Sequence, residues 1–118
     1  MQNSSLKRID AVVRPETFER VKKALEKASC PGMMVFTFHE HAPRQARATV
    51  TPGGRRFKAS LLAKVLFTIV SKNRETQKFV DVILKAVAAG KLGDGDVFVS
   101  PVLTALRIRT GEKGTAAI

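Results

Sequence analysis

Two segments in which apolar residues recur at steps of three and four constrain the fold of this chain most strongly. Such spacing places the apolar side chains on one face of a helix. It predicts one helix over Pro15–Ser29, stopped by Cys30-Pro31-Gly32. It predicts a second helix that is capped by Ser71 or Asn73 and ends near Ala89. The proline that opens the first segment supports this assignment, because proline is well tolerated in the first turn of a helix.

Runs rich in β-branched and aromatic residues, which are typical of strands, lie on both sides of each helix. The resulting order, β-α-β-loop-β-α-β, is that of the ferredoxin-like α+β fold. Both helices would then cover the same face of the sheet, so we expect self-association to cover the other face. The predicted strands are Leu6–Val13, Met34–Phe38, Leu61–Val70, Val97–Val99 and Ala105–Ile108, the last two separated by Pro101.

Length, charge and cysteine content limit the classes of function. The chain has 118 residues, which is the size of one domain, and we assign residues 1–118 to it. Lys and Arg number 21 against 10 Asp and Glu, a formal net charge of +11, which favours anionic partners. The single cysteine excludes an intrachain disulfide. No apolar run approaches the ~20 residues of a membrane span, so we expect a cytoplasmic protein that does not insert into membranes.

The segment His39–Arg56 is polar, basic and rich in Pro and Gly, which predicts a long loop over most of residues 39–60. Loops of this length in a small domain usually carry function. An exposed loop with this charge is suited to an acidic partner or to nucleic acid, and a solvated loop without a partner is the alternative. His39 and His41 supply too few ligands for a metal site. From His39 to Lys64 the basic residues Arg44, Arg47, Arg55, Arg56, Lys58 and Lys64 stand against Glu40 alone.

Two short motifs have the chemistry of a phosphate site. The closely spaced glycines of Gly90–Gly95 let backbone N–H groups approach an anion; the alternative is a helix end followed by a turn. On the last predicted strand Arg107 and Arg109 would point to the same side and bind a phosphate as two guanidinium groups. The alternative there is a basic edge strand that resists aggregation. No motif pairs a nucleophile with a base, so we expect no enzyme.

Taken in order, these motifs resemble the PII nitrogen-regulatory signalling family, and the match spans nearly the whole chain from Leu6. The resemblance implies a homotrimer of ferredoxin-like subunits with nucleotide in the clefts between neighbours. It also identifies the long loop with the T-loop, which inserts into a regulated partner such as a transporter, a kinase or a biosynthetic enzyme. The matching segments are Ile9–Pro15, Gly32-Met33, Gly90–Gly95, Val97–Val102 and Arg107–Glu112.

The resemblance also implies roles for individual residues. ATP or ADP would be the nucleotide, and 2-oxoglutarate with Mg²⁺ would bind through Gln45 and Lys64. Arg47, Arg55 and Arg56 would contact the partner protein. The residues implied to bind nucleotide are Arg44, Lys91, Gly93, Asp94, Gly95, Arg107 and Arg109.

The chain departs from the family pattern at several of these places. Asp96 stands where the family usually has a phosphate-binding lysine, and at an effective dielectric of ~20 a like charge ~4 Å away costs on the order of 4 kcal/mol. Met34 replaces a threonine near the adenine. Phe57 replaces a loop tyrosine that many bacterial members modify, and it has no hydroxyl to modify. His41 and Pro43 replace glycines at the base of the loop, which affects the 2-oxoglutarate pocket.

These departures leave two alternatives to a nucleotide sensor. One is a trimer with the same fold that has lost ATP and 2-oxoglutarate sensing and acts as a scaffold or senses another small metabolite. The other is nucleic-acid binding through the basic loop. The loop lacks interleaved aromatic residues and any recognised nucleic-acid motif, so we do not expect a nucleic-acid partner.

Overall fold

The chain forms a four-stranded antiparallel sheet, two helices and a separate two-stranded ribbon. The structure, a computed structural model, describes residues 5–41, 47–50, 56–59, 61–90 and 95–118. Its elements are β1 (Leu6–Val13), α1 (Pro15–Lys27), β2 (Met34–His41), β3 (Arg47–Val50), β4 (Arg56–Ala59), β5 (Leu61–Lys72), α2 (Asn73–Ala88), β6 (Gly95–Val102) and a 3₁₀ helix (Gly114–Ala117). The sheet has the strand order β2-β5-β1-β6, and β3 pairs with β4. This confirms the ferredoxin-like α+β fold.

The core lies between the two helices and one face of the sheet. Successive side chains of a strand point to opposite faces, so alternate residues of β1 and β5 reach the helices. Phe18 of α1 and Phe67 of β5 meet there with ring centroids 5.9 Å apart. The buried members of the core are Ile9, Ala11, Val13, Val21, Leu25, Val65, Phe67, Ile69, Phe79, Ile83 and Ala86.

The first helix ends two residues earlier than its spacing predicts, at Lys27. The amide of Cys30 donates to the carbonyl of Leu25 and the amide of Ser29 donates to that of Glu26, at 3.0 and 3.1 Å. This is the Schellman arrangement, in which the residue after the cap takes a left-handed conformation that glycine usually fills. Here that residue is Ser29, with φ 63°.

The second helix begins at Asn73, and neither residue predicted as its cap acts as one. Lys72 occupies the N-cap position, where no side-chain hydrogen bond caps the helix. Ser71 belongs to β5, and its buried hydroxyl lies 2.8 Å from the hydroxyl of Thr76. The Asn73 amide donates instead to the carbonyl of Ser5 at 2.9 Å. A backbone carbonyl from the start of β1 therefore satisfies this end of the helix.

The predicted loop over residues 39–60 is partly wrong, because regular strands lie within it. β2 continues to His41, and β3 pairs antiparallel with β4 from Arg47↔Ala59 to Val50↔Arg56. The two short runs contain β-branched and aromatic residues on either side of Pro52-Gly53-Gly54, a combination typical of a hairpin. The polar composition of the whole segment outweighed that local signal in the prediction.

The C-terminal strand predictions are also wrong in their bounds. β6 runs through Pro101 to Val102 without a break. It is an edge strand with β1 as its neighbour in the sheet, and an edge strand tolerates proline because one of its sides needs no ladder hydrogen bonds. Ala105–Ile108 is not a strand, since its pairing is limited to an isolated bridge between Leu106 and Lys113.

The face of the sheet away from the helices, called here the open face, is largely apolar. Met34, Phe36 and Phe98 are 55%, 51% and 59% exposed on it. Asp10 on the same face accepts hydrogen bonds from the Thr68 hydroxyl at 2.6 Å and from Arg8 Nε at 3.0 Å. Two rows of residues cross this face in register, Phe36–Leu66–Val12–Asp96 and Met34–Thr68–Asp10–Phe98.

Candidate functional site

Two of the predicted site residues, Gly95 and Lys64, lie together with Asp96 at one end of the sheet, called here the Val13 end because β1 finishes there. Val13 pairs with Gly95 on one side and with Val65 on the other. Lys64 is therefore one residue beyond this row on β5, and Asp96 is one residue before the end of β1, opposite Val12. The two segments that carry most of the predicted site, residues 42–60 and 91–94, join the sheet at this same end.

Gly95 is the last glycine of the predicted phosphate turn, and the sheet requires it to be glycine. A Cβ atom at this position would lie 2.6 Å from the carbonyl oxygen of Val12. That oxygen belongs to the backbone of the neighbouring strand and has little room to move. The glycine turn therefore ends directly beside the last residues of β1.

Asp96 projects from the edge strand onto the open face and is exposed. It ends the row that begins with Phe36, so its carboxylate borders an apolar surface. Because Asp96 follows Gly95 directly, an anion held by the glycine turn would lie beside a negative charge. A phosphate at this place would therefore meet the repulsion that the sequence predicts for Asp96.

Lys64 is 6% exposed, although it lies on the open face. Its neighbour in register on β2 is Phe38, and the aliphatic stem of a lysine packs well against such an apolar side chain. A lysine is seldom this buried without an anionic partner. Its position suits a carboxylate ligand at the Val13 end of the sheet.

Arg107 and Arg109 do not project from a strand, contrary to the prediction. The Gly111 amide donates to the carbonyl of Arg107 at 2.8 Å, and the Arg107 amide donates to the carbonyl of Glu112 at 2.9 Å. These bonds close a tight turn that uses the left-handed conformation of Gly111, φ 75°. The backbone of this segment forms hydrogen bonds within its own turn, because β6 ends at Val102 before the segment begins.

The two arginines lie at the other end of the sheet from the glycine turn. Arg107 donates from Nε and Nη2 to the carbonyl of Ala117, at 3.3 and 3.2 Å. The neighbouring residues Thr115 and Ile118 line small cavities together with Lys72, which pairs with the first residue of β1. An eight-residue strand separates the two ends by about 24 Å. Within one chain, Gly95 and Arg107 therefore cannot contact the same phosphate group.

Several predicted site residues lie outside the described part of the chain. They are Arg44, Gln45, Arg55, Lys91, Gly93 and Asp94. For Arg47 and Arg56 the structure gives a place in the backbone, at the start of β3 and of β4. Their predicted roles stay predictions.

The sequence reasoning missed a contact next to the glycine turn. Arg20 of α1 donates from Nε to the carbonyl of Ala86 in the last turn of α2, at 2.8 Å. Its guanidinium fills the space where Gly90 would carry a side chain. No signal in the sequence joins two residues so far apart, because an arginine on the polar face of a helix is ordinary.

Other chemical groups in the described residues do not form a reactive centre. The half-buried Cys30 thiol has a pKa above its usual value, chiefly because burial disfavours the thiolate. Such a thiol is a poor nucleophile. Among the described residues there is no cluster of three or more His, Cys, Asp or Glu that could hold a metal ion. Within the same ranges, the helices are all too short or too polar to cross a membrane.

Comparison with known proteins identifies the class of protein to which this fold and these motifs belong. A family model described as nitrogen regulatory protein P-II matches residues 6–112. Nitrogen regulatory protein P-II 2 of Methanothermobacter thermautotrophicus is 40% identical over 113 residues, which cover 96% of this chain and 97% of that protein. Nitrogen regulatory protein P-II of Microchaete diplosiphon is 36% identical over 113 residues, 96% of this chain and 100% of that protein.

The structural comparison agrees with these matches. The crystal structure of Arabidopsis thaliana PII bound to citrate superposes with a TM-score of 0.76 at 28% identity, covering 98% of this chain and 94% of that one. The chain belongs to the nitrogen regulatory protein P-II family. It is therefore a regulatory protein of the kind that acts in signal transduction and nitrogen regulation.

Proposed function

We propose that this chain is a signalling protein that binds ATP or ADP in clefts between three copies of itself and regulates a partner protein through residues 39–60. The glycine turn of one subunit would supply backbone donors to the phosphates. Arg107 and Arg109 of the neighbouring subunit would supply the charges. The observation that supports this most is the separation of the two phosphate motifs, since about 24 Å of sheet keeps them apart in one chain.

The open face supports the assembly that this site needs. An apolar face of this extent on a small domain is characteristic of a protein–protein interface. The polar groups of Arg8, Asp10 and Thr68 on it are already bonded to each other, so covering the face leaves the Asp10 carboxylate with its partners. A closed ring of three would cover it and bring the Val13 end of one copy near the C-terminal turn of the next.

A carboxylate effector would bind near Lys64, with Gln45 and Mg²⁺ completing the site. The buried lysine described above supports this part of the proposal. The Arabidopsis relative was crystallised with citrate, which is itself a carboxylate. We propose 2-oxoglutarate as the first compound to test, and citrate as the second.

The first test is calorimetric titration of the purified protein with ADP and with Mg-ATP, each with and without 2-oxoglutarate. We expect micromolar binding near one nucleotide per subunit. A folded trimer that releases no heat with any nucleotide would refute the proposal.

Mixed assembly tests whether two chains share the site. One variant carries Gly93→Asp in the turn, and the other carries Arg107→Ala with Arg109→Ala. Neither should bind nucleotide alone. After unfolding and refolding together, random mixing in a cyclic trimer restores about a quarter of the clefts. Restored binding of that size supports a shared site, and no binding contradicts it. Lys23→Ala with Lys27→Ala, which removes two exposed charges from α1, is the matched control and should bind normally.

A second candidate function follows from Asp96. A negative charge beside the glycine turn would weaken phosphate binding, and a family member that no longer binds nucleotide would tolerate it. Such a protein would act as a trimeric scaffold through residues 39–60 or sense another small metabolite. Protection of residues 39–60 from a protease by ADP would contradict this candidate, and unchanged cleavage with every nucleotide would favour it.

A further inference from the structure

The contact between Arg20 and the end of α2 assigns a function to a residue outside both phosphate motifs. We infer that Arg20 and Gly90 together form a latch that ends α2 and fixes where the glycine turn begins. Arg20 is then a positioning residue for nucleotide binding. The effect of Arg20 on nucleotide binding rests on the proposed function, but the latch itself can be tested without any nucleotide.

Arg20 binds a carbonyl in the last turn of α2. The amide of Ala89 donates to the carbonyl of Lys85 at 3.1 Å, in the ordinary helical pattern. The amide of Gly90, which would continue that pattern to Ala86, donates to the carbonyl of Val87 instead, at 3.2 Å. The Ala86 carbonyl accepts its hydrogen bond from Arg20 Nε at 2.8 Å. The helix tightens at its end and stops at Ala88, two residues beyond the carbonyl that the arginine binds.

The charge of Arg20 suits this position as well as its hydrogen bond does. The C-terminal end of a helix carries a partial negative charge and unsatisfied carbonyl groups, so a cation there is stabilising. Lys85 is the basic residue that α2 itself places in its last turn. Arg20 adds a second cation from the neighbouring helix and thereby ties α1 to the segment that follows α2.

The space that a side chain at Gly90 would need is occupied by the Arg20 guanidinium. A Cβ at Gly90 would overlap Nη2 of Arg20 and would lie 2.8 Å from its Cζ. The residues with positive φ do not include Gly90, so an alanine fits the local conformation. An alanine would nevertheless push the guanidinium away, because the two groups claim the same space. The absence of a side chain at Gly90 thus leaves room for the Arg20 guanidinium at the first position of the turn.

The consequence for binding comes from the length of the turn. Four residues, 91–94, separate Gly90 from Gly95, and Gly95 pairs with Val13 in the sheet. With Gly90 and Gly95 both held, the ends of the turn need not be ordered when a phosphate binds, which favours affinity. If the Gly90 end were free, α2 could gain or lose a residue, and the donors would have to be ordered at a cost in affinity.

The test is a double-mutant cycle with Arg20→Gln and Gly90→Ala, read by hydrogen exchange of residues 84–95 without ligand. Arg20 is exposed apart from its contact, so the variants should fold. We expect each single change to speed exchange at Ala89 and Gly90 about fivefold. In the Arg20→Gln background, Gly90→Ala should have no further effect or should slow exchange, since alanine favours a helix. Lys23→Gln, an exposed charge one turn along α1, is the control and should leave exchange unchanged.

The same variants are then titrated with ADP. We expect about fivefold weaker binding for each single change, no further loss in the double variant, and most of the affinity back in Arg20→Lys, which keeps a charged donor. Equal effects of Gly90→Ala in both backgrounds, or unchanged exchange in Arg20→Gln, would overturn the latch. If the unmodified protein binds no nucleotide, the proposed function fails while the exchange cycle still decides whether the latch exists.

Discussion

Replacing Asp96 gives the most direct measure of what this chain has changed in a phosphate site. Asp96→Asn removes one negative charge next to the glycine turn, and Asp96→Lys replaces it with a positive one. The side chain is exposed on the open face at the edge of the sheet, so neither change disturbs the core. Any effect on ADP binding is therefore electrostatic in origin in variants that sediment as the same oligomer as the unmodified protein, because the open face is also the proposed interface between subunits.

The size of the effect follows from the position of Asp96 beside Gly95. For a carboxylate and one phosphate charge about 6 Å apart in a partly solvated cleft with an effective dielectric of ~40, Coulomb's law gives about 1.4 kcal/mol. Asp96→Asn should therefore bind ADP about tenfold more tightly. Asp96→Lys should gain that amount twice, about a hundredfold in all.

The assay is calorimetric titration with ADP at two salt concentrations. The gain should shrink at high salt, because the screening length falls from ~8 Å at 0.15 M to ~3 Å at 1 M. Asp81→Asn is the matched control, since Asp81 is an exposed carboxylate on α2 whose hydrogen bond is to Gln77. It changes net charge by the same amount and should leave binding nearly unchanged.

The result that would refute this reasoning is an equal affinity of all Asp96 variants for ADP. It would mean that the phosphates do not approach the Gly95 end of the turn. A gain that is the same for Asp96→Asn and Asp81→Asn would instead attribute the effect to net charge and not to the site.

Three further changes test how the fold holds this site, each by chemical denaturation of the variant beside the unmodified chain. Ser29→Gly should stabilise the protein by about 1 kcal/mol, because Ser29 holds a left-handed conformation that costs other residues about that much; a loss would contradict the helix end described above. Gly95→Ala should destabilise by about 2 kcal/mol or more, because its Cβ meets the Val12 carbonyl, whereas the same change at Gly32, where a Cβ meets nothing within 4 Å, should be nearly neutral. Phe67→Ala should cost about 3–5 kcal/mol by opening a cavity in the core, and a cost below 1 kcal/mol would mean that Phe67 is not packed as it lies here.

The sequence predicted the elements whose periodicity is set by the core. The helix faces of Val21 and Ile83 and the alternation of Ile9, Ala11 and Val13 each follow from burial on one side, so the two helices and the strands around them are confirmed. Residue bounds were less certain where a backbone contact from elsewhere decides them. The start of α2 depends on the carbonyl of Ser5, which no local pattern reveals.

The C-terminal arginines show why a correct family assignment can still mislead about local structure. Alternation in Arg107-Ile108-Arg109 suggested a strand, but a strand needs a neighbour, and among the described residues the pairing of this segment is limited to the bridge between Leu106 and Lys113. The turn leaves Ile108, which lies between the two arginines in the sequence, 98% exposed. Sequence alone shows neither the missing neighbour nor the distance to the glycine turn.

The exposure of Ile108 and the distance between the C-terminal arginines and the glycine turn have one common explanation. An exposed isoleucine between two arginines is unfavourable in a lone chain, and in a lone chain Arg107 lies too far from Gly95 to share a phosphate with it. Both are resolved if the C-terminal turn of one copy packs near the Val13 end of another, with Ile108 covered and the arginines facing the turn. Ile108→Ser should therefore weaken trimer formation and ADP binding together, measured by sedimentation and titration on the same sample. Val35→Ser, which alters a half-exposed apolar residue of β2, is the comparison. A trimer of full strength that still loses nucleotide would separate the two roles and contradict this argument.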